Sequence, residues 1–171
     1  YFVQCNGDRS QFVVLAADYA GASFLGDLAY GGFIEGGQRQ QRIQPAWVRT
    51  GAAGWDSVQA TNGVWNWTEL DAVIAKNPNR KLMAMAVGGS PPSWVQPTNL
   101  TTSYVTYVTA LASRYKGKLA AIEIWNEPYL NTFWNRPDWL PMLAELFSAG
   151  RAAIKSVDPT ILVLGPSWNS P

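Results

Sequence analysis

The stretch AAIEIWNEPYL (residues 120–130) runs an apolar segment straight into Asn126, Glu127 and Pro128. Ala121, Ile122, Ile124 and Trp125 mark a largely buried strand, and Pro128 stops it. Glu127 therefore falls at a rim. A carboxylate beside an Asn at the exposed end of a strand is an unfavourable placement unless something binds there.

Short apolar runs of the same kind occur on both sides of this stretch: FVVLAA (12–17), AWVR (46–49), LMAMAV (82–87) and ILVLG (161–165). With LAAIEIW (119–125) they make five expected strands. Amphipathic stretches separate them, which is the signature of repeated βα units around a parallel sheet. In TELDAVIAKN (68–77), Thr68 is the expected N-cap, Asp71 follows three residues later, and Leu70, Val73 and Ile74 share one face. Tyr104, Val108, Leu111 and Tyr115 recur at helical spacing, as do Leu140, Leu143, Phe147 and Ile154. Asp138 is expected to cap the last helix, with Pro141 in its first turn, where a missing N–H is tolerated. The glycine-rich connection 18–45 reads as a long loop, with a short helix near 26–30 or 38–43 as the alternative. Nothing suggests a repeat or a second domain, so residues 1–171 are read as one.

Composition narrows the chemistry. With 47% hydrophobic residues the chain is globular, and 13 basic against 12 acidic residues give a net charge of +1. No broad field exists to attract nucleic acid or an anionic membrane, and no apolar run reaches membrane-spanning length. There is no histidine and only one cysteine, Cys5. That removes Ser-His-Asp triads, Cys-His pairs and most zinc sites, so carboxylates remain as the acid-base groups and no metal or cofactor is expected. Cys5 is expected to be a buried or free thiol, or to be bonded to another chain. The sequons NWT at Asn66 and NLT at Asn99 suit a secreted glycoprotein. A chain beginning at Tyr1 without an initiator Met is expected to be a processed or excised product.

In parallel βα architectures the ligand site forms at the carboxyl ends of the strands, where the loops converge. The expected second strand ends in Arg49 and leads to Trp55 and Asp56. The third leads to Ser93 and Trp94, the fourth ends in Asn126 and Glu127, and the fifth leads to Trp168 and Asn169. Nine tryptophans among few charges suit a sugar, whose C–H faces pack on indoles while its hydroxyls take amide, carboxylate and guanidinium partners. Trp47 and Trp139 read as core, and Trp65 and Trp67 flank a helix start. Trp55, Trp94, Trp125 and Trp168 are the expected saccharide-binding residues.

IEIWNEP, taken with WVRTGAAGWDSV, GVWNWTELDAVI, GGSPPSWV and AAIKSVDPTILVLGP in that order, resembles the first part of a clan A glycoside hydrolase, most nearly the family of β-xylosidases and α-iduronidases. The resemblance covers about residues 43–168, and Asn-Glu-Pro is its most specific piece. It implies an α/β fold of the (β/α)8 TIM-barrel type, of which this chain supplies about the first five strands, and hydrolysis of a β-linked saccharide with retention. By the same resemblance Glu127 matches the general acid/base, Asn126 the residue bonding the sugar 2-hydroxyl, and Arg49 the residue orienting the nucleophilic carboxylate. A partly apolar pocket near Trp125 would help Glu127 hold its proton.

A retaining enzyme needs a second carboxylate about 5–5.5 Å from the first. The family supplies it from the seventh strand, whereas this chain ends just after its expected fifth. Glu123 lies four residues back along the strand, roughly 13 Å away at about 3.3 Å per residue, and is a poor substitute. Asp56 and Glu35, in loops after the second and first strands, are weak ones. The expected partners are therefore a saccharide and either a complementary C-terminal chain or a second copy that closes the barrel. The rival expectation is a non-catalytic carbohydrate-binding or interaction module derived from a half-barrel.

Overall fold

The computed structural model describes residues 2–5, 8–11, 26–29, 47–87, 89–130, 134 and 139–166, with side chains at 47–87, 89–130, 134 and 141–166. Among them β1 (Phe2–Cys5) and β2 (Asp8–Gln11) form an antiparallel pair. A separate five-stranded sheet is parallel throughout, in the order β3 (Gly26–Ala29), β4 (Trp47–Thr50), β5 (Lys81–Met85), β6 (Leu119–Glu123), β7 (Leu162–Leu164). The helices are α1 (Trp55–Val58), α2 (Thr68–Lys76), α3 (Leu100–Arg114) and α4 (Trp139–Val157), preceded at α3 by a 3₁₀ turn at Pro97–Asn99. Sequential order in a parallel sheet, with helical connections, is the arrangement of a (β/α) barrel.

The period-2 pleat sorts the strand residues onto two faces. Val48, Leu82, Ala84, Ile122 and Val163 face the main core, where Leu70, Tyr104, Tyr107, Val108, Leu111, Leu146 and Ile154 come from the helices. Trp47, Met83, Ala121 and Leu164 cluster on the opposite face. The helical periodicities in 100–114 and 139–157 thus correspond to buried stripes, though the Leu140 side chain and Asp138 lie outside the described residues.

Two expectations are corrected. Residues 26–29 form a strand, not a loop or helix, and pair with β4 as the first of the parallel sheet's strands among the described residues. The run 12–17, read as that strand, lies outside the described residues. Thr68 is the first residue of α2 and not its cap. Its backbone N–H is accepted by Asn66 Oδ1 at 3.2 Å, because Asn66 precedes the helix by the two residues an Asx turn needs.

Asp71 pins α2 to the end of α3. Its carboxylate accepts from Arg114 Nη2 and the Tyr115 hydroxyl, both at 2.8 Å. The Arg114 and Tyr115 hydrogen bonds hold Asp71 below the usual carboxylate range, while burial and then the Asp71 contact push Tyr115 up to about 12.

At Gly150 of α4 an added Cβ would lie 2.9 Å from Tyr104 Cε1 and 3.3 Å from Ile124 Cδ1. The helix can approach α3 and the end of β6 only because this position has no side chain. Gly150→Ala is expected to destabilise the chain by about 1–3 kcal/mol despite its better helix propensity. A urea midpoint equal to or above that of the parent would contradict the close approach.

Candidate functional site

β6 ends at Glu123, yet its backbone stays tied on both sides for three more residues. Ala86 N donates to Glu123 O at 2.9 Å, Ile124 N to Leu164 O at 3.2 Å, and Asn126 N to Val87 O at 2.9 Å. The Tyr104 hydroxyl donates to Ile124 O at 2.8 Å from the α3 side. The pleat breaks in this stretch, since Ile124 and Trp125 both enter the main core. That irregularity turns Asn126 to the face that carries Glu123.

Glu127 follows with φ 40°, the non-glycine residue of positive φ among those described. A side chain costs about 1–2 kcal/mol in that left-handed region, and residues held so collect at ligand and active sites. Its carboxylate is half-buried, accepts from the Tyr129 hydroxyl at 3.1 Å, and lies 3.5 Å from Asn126 Nδ2. Leu130 N donates to Glu127 O at 3.0 Å, closing the turn that Pro128 begins.

Arg49 reaches this end of the sheet from β4, crossing over β5. Its Nε donates to Glu123 Oε2 at 2.6 Å and its Nη2 to Glu123 Oε1 at 3.0 Å, a fork-on-carboxylate pair. The same Nη2 donates to Asn126 Oδ1 at 2.9 Å and contacts Met85 Sδ at 3.1 Å. The resemblance has Arg49 orienting the nucleophilic carboxylate; the carboxylate it holds here is Glu123. The pleat explains it: Arg49, Met85 and Glu123 share the sheet face opposite the helices.

The other expected site residues divide. Asp56 is exposed in the first turn of α1, its Oδ1 accepting the Ser57 N–H at 3.0 Å, and its Oδ2 lies 3.5 Å from where a Cβ on Gly89 would be. It thus sits where the loops after β4 and β5 meet. Trp94 is half-buried, edge-on to Trp55, with its indole N–H donated to Gln59 O at 2.8 Å. Trp55 and Trp125 are both 0% exposed. Trp55 stacks on Tyr107, and Trp125 packs between Tyr104 and Trp134, so neither presents a face to a sugar. They are corrected from ligand contacts to core. Trp168, Asn169 and Glu35 lie outside the described residues. Asn66 is exposed, while Asn99 is half-buried and its Oδ1 accepts Gln96 N at 2.9 Å.

Sequence reasoning passed over Glu123 as a reacting group and missed it as a partner for Arg49. Tyr129, on Glu127, was missed as well, though a Tyr two residues beyond a rim Glu is a usable signal. Among the described residues no three His, Cys, Asp or Glu side chains gather as metal ligands, and no helix is long and apolar enough to cross a membrane.

No family model matches the chain. Among solved structures it is similar to xylanase 10B from Thermotoga petrophila in complex with xylobiose (TM-score 0.61, 13% identity, 82% of this chain and 49% of that one). It is also similar to native xylanase 10B from Thermotoga maritima (0.60, 14%, 82% and 49%) and to the family 10 xylanase of Thermobacillus composti (0.60, 16%, 82% and 46%). The chain spans about half the length of these proteins. These three are family 10 xylanases, whereas the motifs resemble the β-xylosidase/α-iduronidase family. At such identities the likeness concerns fold alone: the chain is built as part of a (β/α)8 barrel like that of these xylanases.

Proposed function

We propose that this chain carries the acid/base half of a retaining β-glycosidase. Glu127 is the general acid/base, Asn126 the ligand of the sugar hydroxyl beside the scissile bond, and Asp56 and Trp94 are rim contacts. The nucleophilic carboxylate comes from barrel strands beyond these five, on the same polypeptide or a complementary one. Secretion, with glycans at Asn66 and Asn99, belongs to the same reading.

The observation that carries it is the placement of Glu127. It is half-buried at the carboxyl end of a central strand, in a strained backbone conformation, with Tyr129 and Asn126 at its carboxylate. Strain of that kind persists where the surroundings over-determine it. A hydroxyl donor on one oxygen leaves the other available to carry a proton to a leaving group or to take one from water.

The test is hydrolysis of an aryl β-xyloside by the assembled barrel, followed by NMR of the first-formed product. The β-anomer is expected to appear first and to mutarotate later. Initial release of the α-anomer, or no hydrolysis of β-linked substrates by the assembled protein, would overturn the assignment. The second outcome would favour a saccharide-binding module instead.

A further inference from the structure

Glu123, Arg49, Asn126 and Glu127 are linked in that order at the carboxyl end of the sheet, and Glu123 has no role in the reaction proposed above. Glu123 is 3% exposed at the end of β6, where an isolated carboxylate would be costly. Both its oxygens are engaged by Arg49, at 2.6 and 3.0 Å. Arg49 in turn meets Asn126 Oδ1 at 2.9 Å, and Asn126 Nδ2 lies 3.5 Å from Glu127 Oε2.

We propose that Glu123 is a positioning residue: it locks the Arg49 guanidinium, which in turn fixes the orientation of the Asn126 amide toward Glu127 and the sugar. This rests on the assignment of Asn126 and Glu127 above. The chemistry of the groups enforces the order of the links. A guanidinium has donors only, so it must face the amide oxygen of Asn126 and never its NH₂. That choice turns Nδ2, the donor, toward Glu127 and the site. A free Arg side chain has several rotatable bonds and would sample other positions. The fork on Glu123 removes that freedom, because two parallel hydrogen bonds define the plane of the guanidinium as well as its place. Met85 Sδ, 3.1 Å from Nη2, closes the remaining side. Glu123 thus acts through two intervening residues, three contacts away from the reacting carboxylate, and touches no substrate.

A double-mutant cycle on the assembled enzyme tests this, with Glu123→Gln and Asn126→Ala made singly and together and each variant checked by thermal melting. Gln keeps the shape of Glu123 but turns an NH₂ toward the guanidinium. Glu123→Gln is expected to lower kcat by on the order of 10- to 100-fold, with KM little changed, when Asn126 is present. In the Asn126→Ala background the same change should cost less than about 2-fold, since the link it acts through is gone. Additive losses, or no loss from Glu123→Gln, would overturn the proposal. If Asn126→Ala alone costs nothing, it is the assignment of the site that fails. Should Glu123→Gln not fold, Glu123→Asp, which keeps the charge and withdraws it by one methylene, takes its place in the cycle. The 171-residue chain offers a readout without turnover. The Asn126 side-chain amide should show the ¹⁵N relaxation of a rigid group in the parent and of a mobile one in the Glu123 variant, and unchanged relaxation would equally overturn it.

Discussion

Glu127→Ala in the assembled barrel is expected to slow hydrolysis of a β-linked disaccharide by about 10²–10⁴-fold, the range that a positioned proton donor contributes. The loss should depend on the leaving group. An alkoxide is a poor leaving group and needs the proton, whereas a dinitrophenolate departs without one. With the activated aryl glycoside, bond cleavage should therefore survive the substitution, and the step that needs a base to activate water should become limiting. Added azide, a nucleophile that needs no base, should then restore turnover and yield a glycosyl azide of retained configuration. Equal losses for good and poor leaving groups, or no response to azide, would sink the acid/base role. The strained backbone adds a second signature: Glu127→Gly should abolish the activity yet not lower the melting temperature, because glycine accepts φ 40° without the cost a side chain bears.

The strands that carry the site were legible because they are buried on both faces. Runs 82–87 and 119–125 read as strands and correspond to β5 and β6, which end two residues earlier at Met85 and Glu123. Their ends differ because Ala86, Ile124 and Asn126 keep single backbone bonds to neighbouring strands after regular pairing stops. β3 was illegible for the opposite reason. Gly26–Ala29 has two apolar residues and no alternation, and it is a strand only because Trp47–Thr50 pairs with it along its whole length. Non-local pairing of this kind leaves little trace in local composition.

Within the site, Asn126 and Glu127 could be located from Pro128 and the apolar run before them, because that argument needs one strand only. The Arg49–Glu123 pair could not be found that way. Distance along β6 discouraged Glu123 as a catalytic carboxylate, but it says nothing of what lies two strands away. A signal did exist: Arg49 interrupts one apolar strand and Glu123 another, and two opposite charges, each buried, require one another. The tryptophans were over-read because indoles serve cores as readily as sugars. Trp125 is core since the pleat breaks after Glu123, which no alternation rule anticipates.

Arg49→Met is expected to destabilise the 171-residue chain by roughly 3–5 kcal/mol, the second large effect and one that needs no substrate. The Arg49 and Glu123 side chains are 14% and 4% exposed, so water screens the pair weakly. With the guanidinium gone, the Glu123 carboxylate is left buried in the sheet face without its counter-charge. Arg49→Met with Glu123→Leu removes both charges and should recover most of the loss, because an apolar pair of similar volume replaces an ion pair at little cost. Urea unfolding of the parent and the two variants reads both the loss and its recovery. A single variant within about 1 kcal/mol of the parent, or a double variant as unstable as the single one, would mean that Glu123 does not depend on Arg49 for its charge.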